Sequence, residues 1–158
     1  LAEEGRPVAW HMAHHARFAL GGVGACIVEA TAVTRDGRIT HGCTGLYDDA
    51  QIAPWAAVCA LYREHGAATG VQLNHAGGKG ATQRPWEGAG ALPLDGPEPA
   101  WECIGPSAVP VRPNFRAPRP ATVAEIEEVV AAFADAARRA VRADFDFIEL
   151  HGAHGYLL

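Results

Sequence analysis

The sequence predicts an α/β fold built on a parallel sheet, and two observations carry that expectation. Segments of strand length and buried character alternate with amphipathic segments of helix length, and parallel neighbours need crossover connections of the kind those helices supply. Residues 7–20 (PVAWHMAHHARFAL) place apolar side chains at helical spacing, and Gly21-Gly22 stops the pattern. Residues 24–33 (GACIVEATAV) follow as a strand, with Gly37 in the turn beyond it. Asp48-Asp49 then introduces a helix through about Glu64, carrying Ile52, Trp55, Ala56, Cys59 and Tyr62 on one stripe and closing at Gly66. Pro54 leaves the shape of its first turn open. Residues 68–75 (ATGVQLNH) form the next strand.

The plainest helix is 123–142. Thr122 and Glu125 form a capping box there, and Ile126, Val129, Val130, Phe133, Ala137, Ala140 and Val141 keep the 3.6 period. It leads into a terminal strand, 146–151. Between the second strand and this helix runs an irregular stretch, 78–121, that holds nine of the eleven prolines together with Trp86 and Trp101. A loop of that length inside an α/β unit is functional or disordered. Because it follows a strand's C-terminal end, where parallel α/β folds keep their sites, it is expected to form a lid or substrate wall. The alternative is that the prolines stiffen a surface excursion and the tryptophans pack it down.

The last thirteen residues, DFIELHGAHGYLL, concentrate the chemistry. Alternation puts Phe147, Glu149 and His151 on one face of the strand and Ile148 and Leu150 on the other. His151, His154 and Tyr156 then lie within six residues. All three can donate hydrogen bonds, and a tyrosine can also give up a proton. Read alone, the cluster fits ordinary strand-end polar residues as well as a site.

Composition excludes several classes. A formal net charge of −5 with 20% charged residues recommends no nucleic-acid partner. The longest uncharged apolar stretch, 18–28, is interrupted by glycines and too short to span a bilayer, and the N-terminus lacks a signal pattern, so a cytoplasmic protein is the default expectation. Cys26, Cys43, Cys59 and Cys103 are widely spaced without a C-x-x-C pair, so free thiols are expected, at least one of them buried. The chain opens on Leu1 and stops inside its richest motif, so both ends are expected to be cuts in a longer protein.

Five segments taken together carry a resemblance. GACIVEATAVTRDGRITHGCTGLYDDAQI, GVQLNHAGGKG, RPWEG, WECIGPSAVPV and DFIELHGAHGYL resemble, in order and spacing, the flavin-dependent old yellow enzyme family, and most nearly its bacterial branch of ene-reductases and xenobiotic reductases. The resemblance covers essentially the whole chain. It implies part of a (β/α)₈ barrel, about strands two to four with their helices, forming a single partial FMN-binding domain over 1–158 with the Pro-rich loop at 78–121. It also implies FMN as cofactor and NADH or NADPH as electron donor. The implied substrate is a small molecule such as an enone, nitro-alkene or quinone-like compound. No nucleic acid or membrane is involved, and a homo-oligomer is the expected association, a dimer closing the sheet between chains.

The resemblance also assigns roles. His151 and His154 match the pair that hydrogen-bonds the substrate oxygen, where such donors count most because negative charge develops there. Tyr156 matches the donor of a proton to the α-carbon. Gln72 matches a glutamine that pairs with the flavin pyrimidine edge, and Ala30 a small residue against the isoalloxazine ring; His151 also lies at the flavin. Alternation places Gly70, Gln72 and Asn74 on one face, the glycine leaving room below the glutamine. Lys79 matches a lysine of the family's HAGRK run, but Gly78 stands where the arginine would be, and a solvated lysine is expected. His75 is expected to orient its loop through a backbone hydrogen bond. Glu29, on a buried-type strand, is expected to pair with a cation or backbone donors from elements outside the chain.

Two rival classes remain. One is a zinc-dependent barrel hydrolase ligated by His75, His151 and His154. The other is a non-catalytic interaction module, since a sheet of three strands has two open edges. Alone, the chain is expected to have little activity.

Overall fold

The computed structural model describes all 158 residues. Helix α1 (Ala9–Leu20) leads into strand β1 (Ala25–Ala32), and α2 (Ile52–Glu64) crosses back to β2 (Ala68–Asn74). The long loop contains two short strands, β3 (Ile104–Gly105) and β4 (Arg119–Pro120); α3 (Val123–Arg142) and β5 (Phe147–Leu150) complete the chain. The main sheet has the order β1-β2-β5, with both pairings parallel. Each crossover is right for its length: α2 joins β1 to β2, and α3 joins β2 to β5.

Local chemistry sets the element ends. Asp48 caps a 3₁₀ turn (Asp49–Gln51) by accepting from the Ala50 N–H at 2.8 Å, and the α-helix proper starts at Ile52. Pro54 therefore sits in the first helical turn, where its missing N–H costs nothing. Thr122 and Glu125 form the expected capping box on α3, with the Glu125 N–H donating to Thr122 Oγ1 at 3.2 Å. Asp146 fastens the start of β5 by accepting from the Thr69 N–H at 2.7 Å.

One hydrophobic cluster lies between the sheet and the helices. Trp55, Tyr62, Leu46, Val71 and Leu73 are fully buried there, with Val28, Ala136 and Ala140 against them. The alanines let α3 approach β2 closely. Trp55 satisfies its ring N–H on the Gly45 carbonyl at 3.3 Å and meets the Phe145 ring at 5.6 Å. Only part of the α3 stripe is covered: Val129 and Ala140 are buried, whereas Ile126, Val130 and Val141 are more than half exposed. The reason is geometric, because these residues lie beyond the area that three strands can cover. The same shortage leaves Phe147, Ile148 and Leu150 of β5 exposed on the sheet's edge.

Register fixes which side chains share a face. Val71 pairs with Ile148 and Leu73 with Leu150 on the helix-covered face, so Gly70 with Phe147 and Gln72 with Glu149 lie on the other, open face. The room left by Gly70 is taken by a neighbour: a Cβ there would sit 2.1 Å from Phe147 Cε2. A bulge interrupts β1, since Val28 pairs with Val71 but Thr31 pairs with Leu73. The extra residue lets Glu29 join Val28 and Thr31 on the helix-covered side, where α1 meets it. By alternation from Thr31, Ala30 then returns to the open face level with Gln72.

The partners of Glu29 correct the expectation that they lie outside the chain. His15 Nε2 is 3.2 Å from one Glu29 oxygen and His11 Nε2 is 3.4 Å from the other, and both histidines are buried. His15 Nδ1 meets the Tyr62 hydroxyl at 2.9 Å, while the Val8 N–H donates to His11 Nδ1 at 3.0 Å. That last bond leaves the neutral His11 ring with its proton on Nε2, directed at the carboxylate. The cluster ties α1 to the bulge.

The cysteines are free, as expected, with Cys59 buried and its thiol pushed up to about 12 by burial. No helix is long and apolar enough to cross a membrane.

The Glu29 cluster makes stability depend on pH. Burial holds the His11 ring below its ordinary 6.5. Burial would raise Glu29, but the hydrogen bond from His15 and the nearby imidazoles outweigh it, and the carboxyl lies below its ordinary 4.5. Both groups bind protons less readily folded than unfolded. Their contribution is therefore present above pH 6.5 and lost as pH falls through 6.5 and then 4.5. The thermal midpoint should fall between pH 7.5 and pH 4, and Glu29→Gln should lower it at neutral pH by roughly 2–4 °C, the equivalent of about 1 kcal/mol, while flattening the most acidic part of the curve. Circular dichroism melts across that range test this; a midpoint independent of pH would remove the cluster's role.

Candidate active site

The C-terminal ends of β1, β2 and β5 form one rim, and the expected site residues gather on it. Gln72 and Glu149 face each other across the β2–β5 pairing, and Ala30 lies beside Gln72 through the β1 bulge. One residue further along, the His151 N–H donates to the Leu73 carbonyl at 3.0 Å, which carries the sheet pairing up to the histidine itself. The chain then turns sharply, with His154 and Gly155 at φ 60° and 63°. A left-handed histidine costs free energy unless its surroundings hold it.

Three contacts hold this turn. Lys79 donates its ammonium to the His154 carbonyl, the Leu157 N–H donates to the His75 carbonyl at 3.1 Å, and Gly77 packs so closely that a Cβ would lie 3.0 Å from the Leu157 backbone. The outcome is a compact triad of rings. The His151 ring lies 5.2 Å from that of His154 and 5.2 Å from that of Tyr156, with tilts of 55° and 54°. His151 is buried, Tyr156 half-buried and His154 exposed. Burial first, and then the neighbouring Cys43 thiol, hold the Tyr156 phenol above its ordinary value, so it keeps its proton at neutral pH.

Lys79 is no solvated lysine: besides binding the His154 carbonyl, its ammonium lies 5.3 Å from the centre of the Tyr156 ring. Glu149 has a definite partner, receiving the Gln72 amide N–H at 2.7 Å. Strand alternation on both sides of the β2–β5 pair contains that second contact; the first depends on a backbone carbonyl, which no side-chain pattern reveals.

His75 behaves as expected. It is buried, and the Gly77 N–H donates to its Nδ1 at 3.1 Å, so it orients the start of the loop. His75 Nε2 has no partner, yet His75, His151 and His154 form no three-ligand metal cluster.

The long loop is folded. Trp101 donates its ring N–H to the Asp36 carbonyl at 2.7 Å, stands edge-on to His41 at 4.9 Å and lies under Arg38. Trp101 thus packs the loop onto the β1–α2 connection, whereas Trp86 is 65% exposed and packs little. Arg84 pairs with Glu87 and Glu98, and Arg119 with Glu102 and Glu125. Burial pushes the Cys103 thiol under this loop up to about 11.

Gln72 and Ala30 are the rim residues that could hold the pyrimidine edge of a flavin. Gln72 spends its amide N–H on Glu149, which leaves Oε1 as an acceptor for an imide N–H, and Ala30 beside it offers only a methyl group to a planar ring. Asn74, two residues beyond Gln72, has a buried Oδ1 without a partner.

Comparison with known proteins identifies the family and the fold. Residues 2–158 match the model of the NADH:flavin oxidoreductase / NADH oxidase family. The NADPH dehydrogenase of Geobacillus sp. (strain WCH70) is 42% identical over 156 residues, covering 99% of this chain and 41% of that protein. The NADPH dehydrogenase of Clostridium acetobutylicum is 36% identical over 149 residues, covering 94% of this chain and 39% of that protein. Among solved structures, morphinone reductase superposes with a TM-score of 0.80 at 24% identity, over 97% of this chain and 41% of that one, which supports the partial-barrel fold. The chain thus spans about two fifths of the length of these relatives. Matched over all but its first residue, the chain belongs to the NADH:flavin oxidoreductase / NADH oxidase family, the old yellow enzyme type.

Proposed function

We propose that these residues form one side of an ene-reductase site, a single partial flavin-binding domain in which an alkene conjugated to a carbonyl or nitro group is reduced at the expense of NADH or NADPH. The observation that carries this reading is the ring triad of His151, His154 and Tyr156 beside the Gln72–Ala30 rim. FMN, when bound, supplies hydride transfer from the nicotinamide donor to the β-carbon of the alkene. Ala30 and Gln72 would hold its ring edge. His151 and His154 would donate to the substrate oxygen as it gains negative charge, an interaction stronger in the transition state than in the bound substrate. Tyr156 would deliver its proton to the α-carbon and recover one from solvent, so that one hydride and one proton are added across the double bond. Its raised pKa suits an acid that must stay protonated until the carbon demands the proton. Lys79 acts as a positioning residue, holding the left-handed turn from which His154 and Tyr156 project.

Tyr156→Phe in the flavin-loaded protein should leave flavin reduction by the nicotinamide donor within a few fold of the parent while slowing alkene reduction by about 10²–10⁴. Rapid-mixing measurement of the two half-reactions tests this, and equal slowing of both would refute the proton-donor role. Replacing His151 or His154 with alanine should weaken phenol-type ligands, whose oxygen mimics the substrate's, by about tenfold or more.

Lys79→Met should slow alkene reduction and weaken the same phenols, and Lys79→Arg should restore most of both. A Lys79→Met protein with unaltered phenol binding would show that the turn holds itself.

The 158-residue chain by itself should bind FMN weakly and associate in solution. Its rim residues Ala30, Gln72, Asn74 and Glu149 are neutral or acidic and offer no cation to a phosphate, and the apolar edge of β5 is exposed. Visible absorbance of the purified chain and its mass by light scattering decide the matter; a yellow, monomeric, enone-reducing preparation is the contrary result.

A further inference from the structure

The chain contains a single lysine, and it lines the same cavity as the long loop's one arginine that lacks an oxygen partner. This cavity, about 190 Å³, lies beside Tyr156 between the β1–α2 connection and the loop. Lys79, Arg112, Thr40, Thr82 and Gln83 supply its polar wall, and Ile39, Val111 and Phe115 are among its apolar residues. No carboxylate lines it, in a chain whose net charge is −5.

The neighbouring arginines show how unusual this is. Arg84 holds Glu87 and Glu98, Arg119 holds Glu102 and Glu125, and Arg116 donates to the Leu92 carbonyl. Arg112 instead lies over the Phe115 ring at 5.5 Å, a contact that orients the guanidinium while leaving its five N–H groups free. Lys79 uses one ammonium proton on the His154 carbonyl and keeps two. Two cations facing one small cavity repel each other, and an oxyanion between them removes that repulsion while gaining charge-assisted hydrogen bonds.

We propose that this cavity is an anion subsite, and that the alkene reduced at Tyr156 carries a carboxylate or phosphate group received by Arg112 and Lys79. This deepens the ene-reductase reading and rests on it. The apolar wall of Ile39, Val111 and Phe115 would enclose the hydrocarbon between the reacting double bond and the anion. The nicotinamide donor also carries phosphates, so the source of the anion must be separated experimentally.

The test is equilibrium binding to the flavin-loaded protein, followed by the visible absorption of the flavin. The probes are 4-hydroxybenzoate and 4-hydroxyphenylacetate, each against its neutral amide. The carboxylates should bind about tenfold or more tighter than the amides at low salt, the equivalent of about 1.4 kcal/mol, and the ratio should collapse toward one in 1 M salt, where the screening length is about 3 Å. Arg112→Gln should remove most of the ratio, Arg112→Glu should invert it, and Arg112→Lys should retain much of it. Equal binding of acid and amide by the parent, or a ratio unmoved by Arg112→Gln, overturns the proposal. A parallel arm compares NADPH with NADH in flavin reduction. An effect of Arg112→Gln confined to the donor bearing the extra phosphate would assign the cavity to the donor and overturn the substrate assignment. Failure of every phenol to perturb the flavin would instead count against the ene-reductase reading itself.

Discussion

Everything in this structure depends on the parallel pairing of β2 with a strand on either side. A pleated strand sends successive side chains to opposite faces. Once Val71 and Leu73 are committed to the core under α2 and α3, Gly70, Gln72 and Asn74 have no choice but the open face. The core therefore positions the site. Trp55 and Tyr62 lie in the core on the other side of the sheet, and their burial there holds the register that brings Gln72 level with Glu149.

The bulge in β1 is the one departure from that alternation, and it has a definite cause. Without it, strict alternation from Val28 would put Glu29 and Thr31 on the open face and point Ala30 into the helices. The extra residue hands Glu29 to His11 and His15 and returns Ala30 to the open face. A buried-type strand carrying an acidic residue thus uses the acid to hold an irregularity in place. The same residue that looks costly in a strand becomes the anchor for α1.

Much of this was legible in the sequence, for physical reasons that differ by element. Helix α3 announces itself because its capping box and its apolar stripe agree, β2 because a short apolar run follows the Gly66 stop, and β5 because its apolar and polar residues alternate. The rim was legible because alternation alone groups Gln72 with Asn74 and Glu149 with His151, and the family resemblance supplied their roles. Other features left no such trace. A capped 3₁₀ turn ahead of Pro54, the two-residue pairing of β3 with β4, and the exposure of Trp86 have no periodic signal. His15 meets Glu29 across fourteen residues once α1 packs on β1, and Lys79 meets the His154 carbonyl across seventy-five once the α3 crossover is folded.

The fastening of the long loop has a consequence for how such proteins diversify. Arg119, at the loop's far end, binds Glu125, the residue that also caps α3. The loop and the helix's first turn therefore share one charged knot. A loop exchanged between relatives without residues 119–125 would leave a carboxylate and a helix N-terminus competing for new partners, so the natural unit of inheritance is the loop together with that turn. The middle of the loop, around Val111 and Arg112, lies away from that knot, so a substitution there leaves the loop's attachment to α3 in place.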